Sequence, residues 1–139
     1  MKTTNIIEEN TERDFIVIDD DLINNSICKR IIQCELPETK INTFTNPKKG
    51  LEYLESTCSN PDSNNALLFL DINMPSLNGW ELLEQLKKSS ETVKKHLKIF
   101  MLSSSICSED KQKAGDNFLV SGYIEKPLSK EKMKTVLCY

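Results

Sequence analysis

The chain has 139 residues, enough for one domain with one core, and its 38% hydrophobic content fits a soluble globular fold. A formal net charge of -3 argues against the broad basic face that direct nucleic-acid binding demands, though a small basic patch stays open. No apolar run is long enough to span a bilayer, and the polar start of the chain lacks the core of a signal peptide, so the expected location is the cytoplasm, without membrane insertion.

Residues 1–13 carry no hydrophobic periodicity and read as a disordered segment ahead of one domain over 14–139. Phe15-Ile16-Val17-Ile18 is a short apolar run, the pattern of a strand buried on both faces, and it ends at Asp19. Asp20 and Asp21 can cap the next helix, whose stripe is predicted to be Leu22, Ile23, Ile27, Ile31 and Ile32. Pro37 ends that helix. Ile41 to Phe44 alternates apolar and polar, as an edge strand does. Asn46-Pro47 pairs a cap with a first-turn proline, and Leu51, Leu54 and Cys58 form the inner face of a second helix.

Residues 59–65 are a loop by composition, the best place for an inserted segment. Ala66-Leu67-Leu68-Phe69-Leu70 is a third strand that closes on Asp71. A turn through Pro75 and Asn78-Gly79 leads to a helix with Trp80, Leu82, Leu83 and Leu86 on one side and Lys87-Lys88 at its end. Leu97 to Leu102 is a fourth strand running into Ser103-Ser104-Ser105. Segment 108–117 is the weakest helix, because Ala114 is almost its only apolar residue and Gly115 lowers helix propensity. Val120 to Ile124 is a fifth strand, and Ser129 caps a last helix stapled by Leu128 and Met133.

Strands alternating with helices five times imply an α/β fold, a parallel sheet covered on both faces. Right-handed crossovers put every strand's carboxyl end on one edge, where such sheets bind ligands. Asp19 and Asp20, Asp71, Ser103 and Lys126 all fall there. Each has an ordinary explanation alone: helix caps, a turn cap, one serine of three, an exposed lysine before Pro127. Together they describe one site. Tyr123, by itself, reads as half-buried packing on an edge strand. The five cysteines show no zinc or redox spacing and read as reduced thiols, mostly packed as small apolar groups. The single histidine, His96, reads as a solvated residue in a basic turn.

Ile18-Asp19-Asp20, Leu70-Asp71-Ile72-Asn73-Met74-Pro75 with Gly79, Met101-Leu102-Ser103-Ser104 and Gly122-Tyr123-Ile124-Glu125-Lys126-Pro127 resemble the response-regulator receiver family of two-component signalling. The resemblance runs in order from about Asp14 to Leu137. It implies a flavodoxin-like doubly wound fold with strand order 2-1-3-4-5, an order that the hydrophobic pattern does not supply. It implies that Asp71 is the phosphoacceptor, and that Asp19, Asp20, Asp71 and the Asn73 carbonyl hold Mg²⁺. It also implies that Lys126 and Ser103 contact the phosphoryl group, that Tyr123 is an aromatic switch, and that Lys126-Pro127 is cis. The implied partners are a sensor histidine kinase or a histidine phosphotransfer protein and a downstream protein.

The resemblance makes the chain a stand-alone signalling module rather than an enzyme, with at most slow self-dephosphorylation. A relay intermediate or phosphate sink is the alternative. An aspartyl-phosphate phosphohydrolase wants a second acid two residues after the nucleophile, where this chain has Asn73. A flavin or nucleotide site wants a glycine- or hydroxyl-rich first turn, where this chain has Asp19-Asp20-Asp21. Monomer and weak dimer stay open, as do the cognate kinase, the pathway and the phosphorylated lifetime.

Overall fold

A computed structural model describes residues 13–58, 65–104 and 107–138. The expected disordered segment lies outside them except for Arg13, as does the 59–65 loop except for Asn65. In chain order the elements are β1 (Asp14–Ile18), α1 (Leu22–Glu35), β2 (Ile41–Phe44), α2 (Pro47–Thr57), β3 (Ala66–Asp71), α3 (Gly79–Lys87), α4 (Glu91–His96), β4 (Leu97–Ser103), α5 (Ser108–Asp116), β5 (Val120–Glu125) and α6 (Lys130–Leu137). All strand pairs are parallel and the sheet order is β2-β1-β3-β4-β5.

The apolar runs become the central strands because both of their faces are covered. Phe15, Val17, Leu67, Phe69, Phe100 and Leu102 pack with Cys28 and Ile32 of α1 and Met133 and Val136 of α6. Ile16, Ile18, Leu68, Leu70, Ile99 and Met101 pack with α2, α3, α4 and Ala114 of α5. Edge strand β5 shifts register between Ile99 and Phe100 of β4, so that Tyr123 pairs with Met101.

Caps form where the sequence predicts them. Asn46 accepts from the N–H groups of Lys48 and Lys49, and Ser129 from that of Lys132. Asp21, not Asp20, caps α1 by accepting from the Ile23 N–H at 2.9 Å. Asn78 and Glu81 add a reciprocal capping box at the start of α3.

Three expectations need correction. In α1 the apolar row does not face the core: Leu22 is 68% exposed, Ile23 72% and Ile27 38%, while Asn24, Asn25, Cys28 and Ile32 are buried. Four helical residues overshoot a full turn by about 40°, so an i, i+4 row winds around the helix and enters the core only toward its end. Second, residues 91–96 form the short helix α4, started by the Ser90 hydroxyl accepting from the Val93 N–H. His96 closes that helix half-buried, its Nδ1 3.1 Å from Thr92 O, and is not a solvated turn residue. Third, the thiols are not mostly packed: Cys28 and Cys58 are buried, Cys107 is intermediate, and Cys34 and Cys138 are exposed.

Candidate functional site

Main-chain hydrogen bonds carry the sheet past its strands and bring the predicted residues together. The Asp19 N–H donates to Phe44 O at 3.0 Å, the Ile72 N–H to Leu102 O at 3.0 Å, and the Lys126 N–H to Ser103 O at 2.7 Å. Lys126-Pro127 is cis. A cavity of about 400 Å³ opens at this edge, and Asp19, Asp20, Asn24, Asp71, Asn73 and Lys126 help to line it. Ser103 is fully buried at the end of β4, with the exposed Ser104 lining the cavity beside it. Tyr123 is half-buried against the cluster that contains Met101.

The charges are arranged around one amine. Lys126 Nζ lies 2.7 Å from Asp19 Oδ2 and 3.1 Å from Asp71 Oδ1. Asp19 is 0% and Asp71 2% exposed, whereas Asp20 is open to solvent. Burial, followed by the charge of Asp19, pushes the Asp71 carboxyl from 3.8 to about 7, against the pull of Lys126 and the Asn73 N–H. Burial pulls the Lys126 amine down, but its bond to Asp19 and the charges of both acids outweigh that and leave it above its ordinary value.

One oxygen from each of Asp19, Asp20 and Asp71 lies within 4.8 Å of the others. A single amine cannot neutralise three acids. An all-carboxylate donor set of this kind fits a hard divalent cation. The residues that would hold it are Asp19, Asp20 and Asp71, with Asn73 on the rim.

Residues 15–137 match the family described as the response regulator receiver domain. The chain belongs to that family. The two-component response regulator ARR17 of Arabidopsis thaliana is 27% identical over 135 residues, which cover 89% of this chain and 82% of that protein. The crystal structure of a two-component response regulator from Cytophaga hutchinsonii matches with a TM-score of 0.81 at 28% identity, covering 89% of this chain and 92% of that one. A response regulator receiver protein from Dyadobacter fermentans DSM 18053 matches with a TM-score of 0.80 at 25% identity, covering 90% of this chain and 94% of that one. The acidic pocket of Asp19, Asp20 and Asp71 is of the kind typical of a receiver's phosphoacceptor site.

The structure also brings in residues that pattern reading overlooks. Asn24 Nδ2 donates to Asp19 Oδ2 at 2.6 Å. Asn25 Nδ2 donates to Asp19 O at 2.9 Å and to Phe44 O at 3.4 Å, tying α1 to the ends of β1 and β2. Lys132 of α6 donates to Glu125 O at 2.7 Å and Pro127 O at 3.1 Å, on either side of Lys126. The available signal was two adjacent amides inside an apolar helix stripe. Lys132 gives none, since one lysine among several on a surface helix is unremarkable by pattern.

Proposed function

We propose that this receiver accepts a phosphoryl group on Asp71 from a histidine kinase or a histidine phosphotransfer protein, and that the phosphorylated form switches a protein-binding surface. A carboxylate oxygen of Asp71 attacks phosphorus, the P–N bond to the donor imidazole breaks, and the imidazole keeps that electron pair. The observation that carries this reading is the buried Asp71 carboxylate held beside Lys126 Nζ at 3.1 Å in an acidic pocket. Lys126 is placed to meet the incoming negative charge. Ser103, at the end of the neighbouring strand, supplies the hydroxyl for a phosphoryl oxygen. Bound Mg²⁺ would neutralise charge on the transferred group and keep Asp71 ionised at neutral pH.

Ile23 and Ile27 line the same cavity as Asp71 and are exposed together with Leu22, giving the mouth an apolar lip. A protein donor rather than a small molecule suits such a lip. Five free cysteines suit the reducing cytoplasm, where these donors present phosphohistidine. A relay intermediate or phosphate sink would use the same site and differ only in what removes the phosphoryl group. A hydrolase is disfavoured because Asn73 cannot act as a general acid.

The test is to incubate the protein with a small phosphodonor, with and without Mg²⁺, and map the adduct by mass spectrometry. One Mg²⁺-dependent phosphoryl group on Asp71, absent from Asp71→Asn, is expected. Equal labelling of that variant overturns the assignment.

A further inference from the structure

The Asp19 carboxylate is completely buried and almost fully committed. Oδ1 accepts from the Asp21 N–H at 2.8 Å. Oδ2 accepts from two donors, Asn24 Nδ2 at 2.6 Å and Lys126 Nζ at 2.7 Å. Lys126 also bonds Asp71, so this one amine is shared between a buried acid that stays in place and the proposed nucleophile. When Asp71 gains a phosphoryl group, Lys126 can follow the new charge only by loosening its hold on Asp19. Without a second donor, that movement would strip a buried carboxylate oxygen of its partners, a costly step.

Asn24 is built for this place. It is 6% exposed, in the first turn of α1, and lines the cavity. Its Nδ2 also points at Cys28 Sγ, 3.7 Å away, so both amide hydrogens have directions inside the site. The neighbouring Asn25 instead bonds the main-chain carbonyls of Asp19 and Phe44, so the two amides do different work.

We propose that Asn24 is a positioning residue of the phosphoryl-transfer site: it holds Asp19 through Oδ2 and thereby frees Lys126 to move from Asp19 to the phosphoryl group. This rests on phosphorylation of Asp71. Asn24 never meets the phosphorus in this scheme. It acts on the position of Lys126, through the oxygen that the two share. Its donor is neutral, so it supports Asp19 without cancelling the charge that a cation would need there.

The experiment compares wild type, Asn24→Leu, Asn24→Gln and Asp71→Asn. Leucine keeps the volume and removes the donor, while glutamine restores an amide. Phosphorylation by phosphoramidate is followed in Mg²⁺, so no docking protein is involved, and Mg²⁺ affinity of the unphosphorylated protein is measured by calorimetry. Asn24→Leu should phosphorylate on the order of tenfold more slowly, the effect of losing one charge-assisted hydrogen bond. Asp19 is also a cation ligand in this scheme, so rates are compared at saturating Mg²⁺, and any loss of Mg²⁺ affinity in Asn24→Leu should be restored in Asn24→Gln. Asn24→Gln should recover to within about threefold of the wild-type rate. Leucine at the wild-type rate overturns the proposal. So does a parallel loss of Mg²⁺ affinity in leucine and glutamine variants alike, which would mark Asn24 as packing only. If wild type takes no label, or Asp71→Asn takes as much, the phosphoacceptor reading itself fails and this inference falls with it.

Discussion

Gly79 lies directly on the backbone of Asp71. A β-carbon at Gly79 would stand 2.6 Å from the Asp71 carbonyl oxygen and 3.0 Å from Ile72 Cα. The Gly79 N–H donates to Ile72 O at 2.9 Å, so the first residue of α3 closes the loop that leaves Asp71. Met101 Cε, also 3.0 Å away, is a flexible end that can yield, but the backbone of Asp71 and Ile72 is not. Gly79→Ala must therefore displace the Asp71 strand end or the start of α3. A stability loss of about 1–3 kcal/mol by urea unfolding is expected, the usual range for overpacking. Phosphorylation of Asp71 should slow as well. An alanine variant with both properties unchanged would show that the loop gives way cheaply.

Asp71 makes stability depend on pH. Its carboxyl is raised to about 7 in the native state, so between its ordinary 3.8 and that value the folded protein binds the proton more tightly than the unfolded chain. The cost of burying its charge is therefore absent at low pH, grows as pH rises through that interval, and is complete above it. Without divalent cations at pH 8, Asp71→Asn should melt at least about 3 °C above wild type, the shift that about 1 kcal/mol gives in a domain of this size. The gap should close toward pH 4. Parallel melting curves for the two proteins at both pH values would contradict the assignment of this cost to Asp71.

Divalent cations should reverse the penalty. A ligand that binds only the native state stabilises by about 2.7 kcal/mol at a hundredfold excess over Kd. Mg²⁺ should thus raise the melting temperature of the wild type at neutral pH. Asp20 is exposed and bonds no site amine in the described structure, so Asp20→Asn should fold normally and lose much of the Mg²⁺ response. A wild type whose melt ignores Mg²⁺, or an Asp20→Asn response as large as wild type, would remove the cation from this pocket.

Much of this site was legible because strand ends are legible. Ile18-Asp19, Leu70-Asp71 and Leu102-Ser103 each mark an abrupt change from a run buried on both faces to a polar group, and parallel topology brings such changes to one edge. The orientation of α1 was not legible, since hydrophobicity alone cannot say which part of a winding apolar row meets the sheet. Asn24 and Asn25 displace Ile23 and Ile27 from the interior because Asp19 and the ends of β1 and β2 need donors there. Helix α4 is short and mostly polar, with Val93 its only buried residue, and leaves no periodicity to read. The register shift in β5 leaves no mark in a pattern either, though it sets Tyr123 opposite Met101.

Lys132 secures the loop that carries Lys126. Its amine bonds the carbonyls of Glu125 and Pro127, so Lys132→Met removes a clamp spanning Lys126 while keeping most of the side-chain volume. The cost in stability should be about 1.5–3 kcal/mol, the range for hydrogen bonds to a charged group. Amide exchange should quicken at Glu125 and Lys126. Slower phosphorylation with unchanged exchange there would place the role of Lys132 elsewhere.

The signal should leave through α5. Ala114 is that helix's one buried residue, so packing holds it weakly. Its ties to α3 are the Trp80 indole N–H, donating to Asp110 Oδ1 at 3.1 Å, and Lys113 Nζ, 5.6 Å from the Trp80 ring centre. Tyr123 packs half-buried on the same face of the sheet, opposite Met101, two residues before Ser103. Phosphorylation adds negative charge at Asp71, and movement of Ser103 toward the new oxygens would change the space open to Tyr123. Chemical-shift changes should then concentrate in residues 103–137 beyond the pocket itself. Tyr123→Ala should leave labelling of Asp71 intact and erase the changes in α5. Trp80→Phe, which keeps the ring but not the indole N–H, should raise amide exchange across α5 before any phosphorylation. Shifts confined to the phosphate site, or equally large in remote α2, would show that the output does not run through Tyr123 and α5.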